Sequence, residues 1–152
     1  MSTIRFATTE DAPALATMAQ KFVAYNPHWS AFRIPVEEMQ ANIESILTAD
    51  TIKCMVAEVD GEIVGMIAFA LVGAWFAPSM LLASELAWWV EERARGTTVA
   101  IRLVRAYEKW AIDNGAKLIA MSSITVDAEN SVGNMLSRIG YEASEITHVK
   151  GT

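Results

Sequence analysis

Apolar residues recur at two different periods along this chain, and each change of period marks a new element. "TIRFA", Thr3 to Ala7, reads as a short first strand. Thr8 or Thr9 then stands where a helix cap is expected, with Glu10 and Asp11 in the positively polarised first turn. Leu15, Met18, Ala19 and Phe22 follow at helical spacing and share one face. An aromatic-rich loop, "YNPHWSAFRIP", runs from Tyr25 to Pro35, and a second helix follows it with Met39, Ile43, Ile46 and Leu47 aligned. Strands are then predicted at about Ile52 to Val59, Glu62 to Trp75 and Leu81 to Val90, the first two joined by the hairpin signal "VDGE". A third helix carries Val99, Leu103, Ala106 and Trp110 on one side and Arg102, Arg105 and Lys109 on another, and "DNGAK" ends it with a glycine. "KLIAMSSITV" is the next strand, a short helix runs from near Asn130 to Gly140, and "YEASEITHVKG" is the last strand.

A hairpin-rich front half with alternating elements behind it predicts an α/β or α+β domain, a mixed sheet covered by helices. The 152 residues are enough for one domain with a core, and one domain is assigned to 1–152. The stretch from Ile63 to Ala83 carries no charge and is long enough to span a membrane. Gly65, Gly73 and the Pro78-Ser79 break divide it, and Glu62 and Glu85 flank it without basic anchors, so it is taken as two buried strands and a loop.

Composition narrows the chemistry. With 53% hydrophobic and 20% charged residues the chain is globular. A net charge of -6 argues against a nucleic-acid binder and suits small cationic partners. The single cysteine, Cys54, lies in an apolar run and reads as a structural thiol. His28 and His148 are isolated, so no metal-ligand spacing exists. The N-terminus lacks the apolar segment of a secretory signal, and a cytoplasmic protein is expected.

The most informative stretch is "WWVEERARGTTVAIRLVRAYEKWA", where a strand end becomes a turn and the turn becomes a helix. A helix start leaves backbone N–H groups unpaired and partly positive, so a small-residue turn feeding it can bind phosphate. The alternative reading is that Thr97 or Thr98 simply caps a βα junction, with Arg93 and Arg95 in solvent. Neither the G-x-x-x-x-G-K-[ST] loop nor G-x-G-x-x-G is present, which disfavours an NTPase and a dinucleotide oxidoreductase.

From Val90 onward this stretch resembles the acyl-CoA signature of the GNAT superfamily of N-acyltransferases, roughly [Q/R]-x-x-G-x-[G/A] between a strand and a helix. Arg95 and Ala100 match its ends, while Thr98 stands where the middle glycine is usual. "IRFATTEDAPALATMAQKF" resembles the family's first strand and helix, "VAEVDGEIVGMIAFAL" its central hairpin, and "ENSVGNMLSRIGYE" the helix that ends in Gly-Phe, here Gly140-Tyr141. The resemblance covers nearly the whole chain. It implies a mostly antiparallel sheet with about four helices and acetyl-CoA as acyl donor. Backbone N–H groups of Gly96, Thr97, Thr98, Val99 and Ala100 would cradle the pyrophosphate, with Arg95 at the loop's head. Main-chain groups of Trp88, Trp89 and Val90 would pair with the pantetheine amides, and Asn130 would touch the same arm.

Acetyl transfer to an amine needs a base, and Glu85 is the candidate. It stands in the otherwise uncharged strand "LLASELAWWV", and by alternation it shares a face with Ala87 and Trp89. The family's usual tyrosine acid is missing, because the region reads Met135, Leu136, Ser137, Arg138. Ser137, Tyr141 or water are the substitutes. Tyr25, Trp29 and Phe32 lie where the family builds its acceptor pocket and would box an amine by cation–π contact, or else cap the core. Tyr141 is placed with them at the acceptor site. The short C-terminal strand region would leave that site open or completed by a second subunit, as in a homodimer. The function implied is an N-acetyltransferase acting on a small-molecule amine or an exposed amino group by direct attack. The alternative is a non-catalytic acyl-CoA-binding or regulatory protein with the same fold.

Overall fold

A computed structural model of the chain describes residues 1–124 and 129–152. Its sheet has five strands in the order β1 (Thr3–Phe6), β2 (Lys53–Val59), β3 (Glu62–Ala74), β4 (Ala77–Val90) and β5 (Leu118–Ala120). All neighbours are antiparallel except β4 and β5, which run parallel. The helices are α1 (Ala12–Tyr25), α2 (Val36–Ala49), α3 (Val99–Asp113) and α4 (Ser131–Arg138).

The two faces of the sheet bury different sets of alternating residues. On one, Ile67, Phe69, Ala83 and Val90 pack with Val99, Leu103, Tyr107 and Ala111 of α3. On the other, Cys54, Val56 and Met66 pack with Leu15 and Met18 of α1, and Ile43 and Leu47 of α2 close the edge. Cys54 is buried, and burial pushes its thiol up to about 12, so it is protonated at neutral pH and serves the core. The entry to α1 is fixed by a short 3-10 turn, Thr9–Asp11. Asp11 Oδ2 accepts the Thr8 N–H at 2.8 Å, and the Arg5 guanidinium grips both oxygens of Asp11 at 2.8 and 3.0 Å.

The uncharged stretch from Ile63 to Ala83 forms most of the β3–β4 hairpin, and no helix among the described residues is long and apolar enough to cross a membrane. The strand begins at Ala77 and not at Leu81. Ala74 pairs with Ala77 while Gly73 pairs with Leu81, so Pro78, Ser79 and Met80 bulge out of the ladder, where a proline is tolerated. Gly73 is required there, because a Cβ would sit 2.5 Å from the Pro78 carbonyl oxygen.

Two C-terminal expectations fail. "KLIAMSSITV" forms a strand only over Leu118–Ala120, since the Ser122 N–H turns aside to the Glu85 carboxylate at 3.1 Å. Thr125 and Val126 of that segment lie outside the described residues. "YEASEITHVKG" forms no strand: Ile146 and Val149 are exposed, and without a face to bury, alternation alone does not hold a strand.

Candidate functional site

The ladder between β4 and β5 is short. It pairs Leu82 with Leu118, Ala83 with Ile119 and Ser84 with Ala120, and β4 then runs on alone to Val90. Beyond Ser84 the outer edge of β4 has no strand against it among the described residues. The sheet therefore opens into a cleft whose inner wall is the main chain from Glu85 to Val90.

A bulge sits at the mouth of that cleft. Ala68 pairs with Ala87 while Phe69 pairs with Glu85, so Leu86 is an extra residue in β4. The inserted residue reverses the alternation. Ala87 and Trp89 belong to the α1 face, whereas Glu85 is turned to the α3 face beside Phe69, against the simple period-two expectation. There Tyr107 stacks on Phe69 with ring centroids 4.7 Å apart, and Glu85 lies close enough to Tyr107 for its charge to raise the phenol. Burial pushes the Glu85 carboxyl up to about 7, opposed by the hydrogen bond it accepts from the Ser122 N–H.

At the far end of the cleft a turn carries β4 into α3. Gly96 has φ 78°, a conformation that favours glycine, and no heavy atom lies within 4 Å of where a Cβ would be. Thr97 is the capping residue: its Oγ1 donates to the Ala94 carbonyl at 2.6 Å and accepts the Val99 N–H at 3.3 Å. Thr98 occupies the N-cap position but its side chain makes no cap bond. The N–H groups of Gly96, Thr98, Ala100 and Ile101 have no acceptor among the described residues. They are the free donors of a helix start, presented from an exposed glycine turn.

Arg95 joins the turn to the cleft wall. Its Nε donates to the Val90 carbonyl at 3.0 Å, and its guanidinium lies 4.8 Å from the centre of the Trp89 ring. Arg93 points elsewhere and pairs with Glu62 at 2.6 Å. Tyr25 meets Trp89 edge-on at 6.0 Å, and Trp29 meets Phe22 at 5.5 Å, so these aromatics of the α1–α2 loop lie on the α1 face. Phe32 is exposed and bonds only through its backbone, to Trp29. Tyr141 stands apart from them, near Glu108 and Arg105 of α3. Asn130 adopts φ 47° and folds its side chain over Gly133. Among the described residues the buried indole nitrogens of Trp88 and Trp89 have no partner. Both belong to the segment of β4 beyond β5, where unmet donors cost about 1–3 kcal/mol each unless a ligand or water receives them.

The model of the GNAT acetyltransferase family matches residues 17–141. The chain belongs to the GNAT acetyltransferase family. No curated protein matches the sequence closely. Solved structures of the same fold include a transcriptional regulator from Bacillus halodurans C-125, 21% identical with TM-score 0.80, each chain covered over 100%. The ribosomal-protein-alanine N-acetyltransferase from Brucella melitensis biovar Abortus 2308 is 17% identical with TM-score 0.75, covering 99% of both chains. The aminoglycoside N-acetyltransferase AAC(6')-Iy, solved with CoA and with a bisubstrate analogue, is 18% identical with TM-score 0.79, over 100% of this chain and 98% of that one.

This GNAT chain is an acetyl-CoA-dependent acetyltransferase. The free N–H groups at Gly96, Thr98, Ala100 and Ile101 match a pyrophosphate, and the unpaired β4 edge matches the amides of a pantetheine arm. The orphaned indole N–H groups of Trp88 and Trp89 lie on opposite faces of this segment, Trp88 toward α3 and Trp89 toward α1. Two features lay outside sequence reasoning, the Leu86 bulge and the Ser122 amide on Glu85. Neither has a local sequence signature.

Proposed function

We propose that the chain transfers the acetyl group of acetyl-CoA to the amine of a small molecule or an exposed amino group by direct attack, with Glu85 as general base. The observation that carries this is Glu85 itself, a partly buried carboxyl at the point where β4 leaves β5, pushed up to about 7. A base must take the proton of an alkylammonium and remain unprotonated often enough to do so, and a carboxyl near 7 meets both needs. Acetyl-CoA supplies an activated acyl carbon. Glu85 receives the nitrogen's proton, directly or through one water. The nitrogen bonds to the carbonyl carbon, the C–S bond breaks, and the second proton that the nitrogen sheds passes through water to the thiolate. Ser137 stands where the family's tyrosine acid is usual, and a CoA thiol leaves well enough without one.

The α1–α2 loop supports a cationic acceptor. Tyr25 and Trp29 offer aromatic faces beside the cleft, and the chain carries a net charge of -6. Structural neighbours named for aminoglycoside and ribosomal-protein alanine acetylation both modify amines, which supports the same class. The test is thiol release from acetyl-CoA against a panel of polyamines, aminoglycosides, amino acids and peptide N-termini. Turnover with one class, abolished in Glu85→Gln, is the expected result. Stabilisation by acetyl-CoA without turnover on any amine would instead show a non-catalytic binder.

A further inference from the structure

Glu85 accepts a hydrogen bond from the Ser122 N–H, two residues past the last paired residue of a three-residue strand. So short a ladder holds the chain beyond it weakly. What fixes Ser122 is therefore a question about the site. The hydroxyl of Tyr107 donates to the Ala120 carbonyl at 3.2 Å, at the point where β5 ends. Tyr107 is fully buried, and its ring stacks on Phe69, the cross-strand partner of Glu85. One side chain of α3 thus touches the wall beside the base and holds the strand that leads to Ser122, whose N–H and hydroxyl both donate to the carboxylate.

We infer that Tyr107 is a positioning residue for Glu85: its bond to Ala120 latches the end of β5 so that the Ser122 N–H stays on the carboxylate. The inference rests on the assignment of Glu85 as base. The titratable and charged groups facing this region are few. Tyr107 faces Glu85 from α3, and Tyr141, with Glu108 and Arg105 beside it, lies beyond Tyr107. The Ser122 N–H comes from the segment after β5, and β3 contributes Phe69. A donor on the carboxylate favours its ionised form, so loss of the Ser122 bond raises the pH at which Glu85 becomes a base.

The experiment compares kcat against pH for the full chain and for Tyr107→Phe, which keeps the buried ring and deletes only the hydroxyl. The acid limb is expected to move up by about one pH unit, so that turnover near pH 7 falls about fivefold and recovers above pH 9. The KM for acetyl-CoA should stay constant. A merely structural role would lower kcat equally at all pH values, or leave it unchanged, and either result overturns the inference. Ser122→Pro removes both donors of Ser122, the N–H and the hydroxyl, and covers the case in which Tyr107→Phe does not fold. It should move the limb in the same direction, and the double variant should move it no further than Ser122→Pro alone. An acid limb unmoved by Ser122→Pro also overturns the inference. Failure of the underlying assignment looks different, because then Glu85→Gln would retain the wild-type acid limb.

Discussion

Glu85 should cost the protein stability near neutral pH, and Glu85→Gln measures that cost. The carboxyl ionises near 7 in the fold and at 4.5 ordinarily. Between those values the folded chain holds a proton that the unfolded chain has lost, so stability falls as pH rises through the window. A gap of about 2.5 pH units at 1.36 kcal/mol each is about 3 kcal/mol at most, fully developed above pH 7. Glutamine keeps an oxygen for the Ser122 N–H and has nothing to ionise. At about 2–4 °C per kcal/mol for a domain of this size, Glu85→Gln should melt roughly 6–12 °C above the wild type at pH 8 and level with it near pH 4. Differential scanning calorimetry of both proteins from pH 4 to 8, without acetyl-CoA, reads this directly. The same variant should lose turnover, so stability and activity move in opposite directions at one residue. Two melting curves that stay parallel across the whole range would refute the argument, since Glu85 would then titrate alike in both states.

Three further outcomes follow from the geometry. Thr98→Pro deletes one free N–H at an exposed residue whose φ of -76° already suits proline. The fold should be kept and acetyl-CoA affinity should fall roughly 10–100-fold by titration calorimetry, the worth of one charge-assisted bond. Trp29→Ala should raise the acceptor's KM about 2–30-fold while leaving that of acetyl-CoA unchanged in steady-state kinetics, because Trp29 packs on Phe22 and not on the β4 wall. Asp11→Asn should destabilise the protein by about 1–3 kcal/mol at neutral pH, because it removes the charge and one of the two oxygens that Arg5 and the Thr8 N–H share, and turns an NH2 donor toward them. The Arg5 guanidinium holds the Asp11 carboxyl below its ordinary 3.8, so this stabilisation is complete above that pH and is lost as pH falls further. Urea unfolding at pH 7 and pH 2 should therefore show a smaller difference between variant and wild type at the lower pH.

What sequence could reveal depended on how far each interaction reached along the chain. The β2–β3 turn was legible because Asp60-Gly61 carries its own conformation, φ 52° and 81°. The free amides near Gly96 were legible because a glycine turn before an amphipathic helix is a local pattern. Thr97 and Thr98 could not be told apart, since which hydroxyl caps depends on a bond back to Ala94. The C-terminal strands were over-read because alternation in "EITHV" records capacity, and the chain offers those side chains no face.

The placement of Glu85 shows how a residue can stand out in sequence while its geometry does not. Glu85 stands out as the one carboxylate in an apolar strand, where the GNAT resemblance also expects a glutamate. Period two then put it with Ala87 and Trp89, on the face of the aromatic loop. One extra residue, Leu86, sends it to the other face, where Tyr107, Phe69 and the Ser122 amide surround it. Leu86 is half-exposed and unremarkable in sequence, and the register with β3 defines it. The bulge separates two tasks along one strand. Before it, β4 turns its carboxyl toward α3, into surroundings that hold a proton near neutrality. After it, the same strand turns Trp89 toward Tyr25 and Arg95 and keeps its outer edge free for the donor. An unbroken alternation would have placed the Glu85 carboxyl on the face of Tyr25 and Trp89, away from Tyr107 and Phe69.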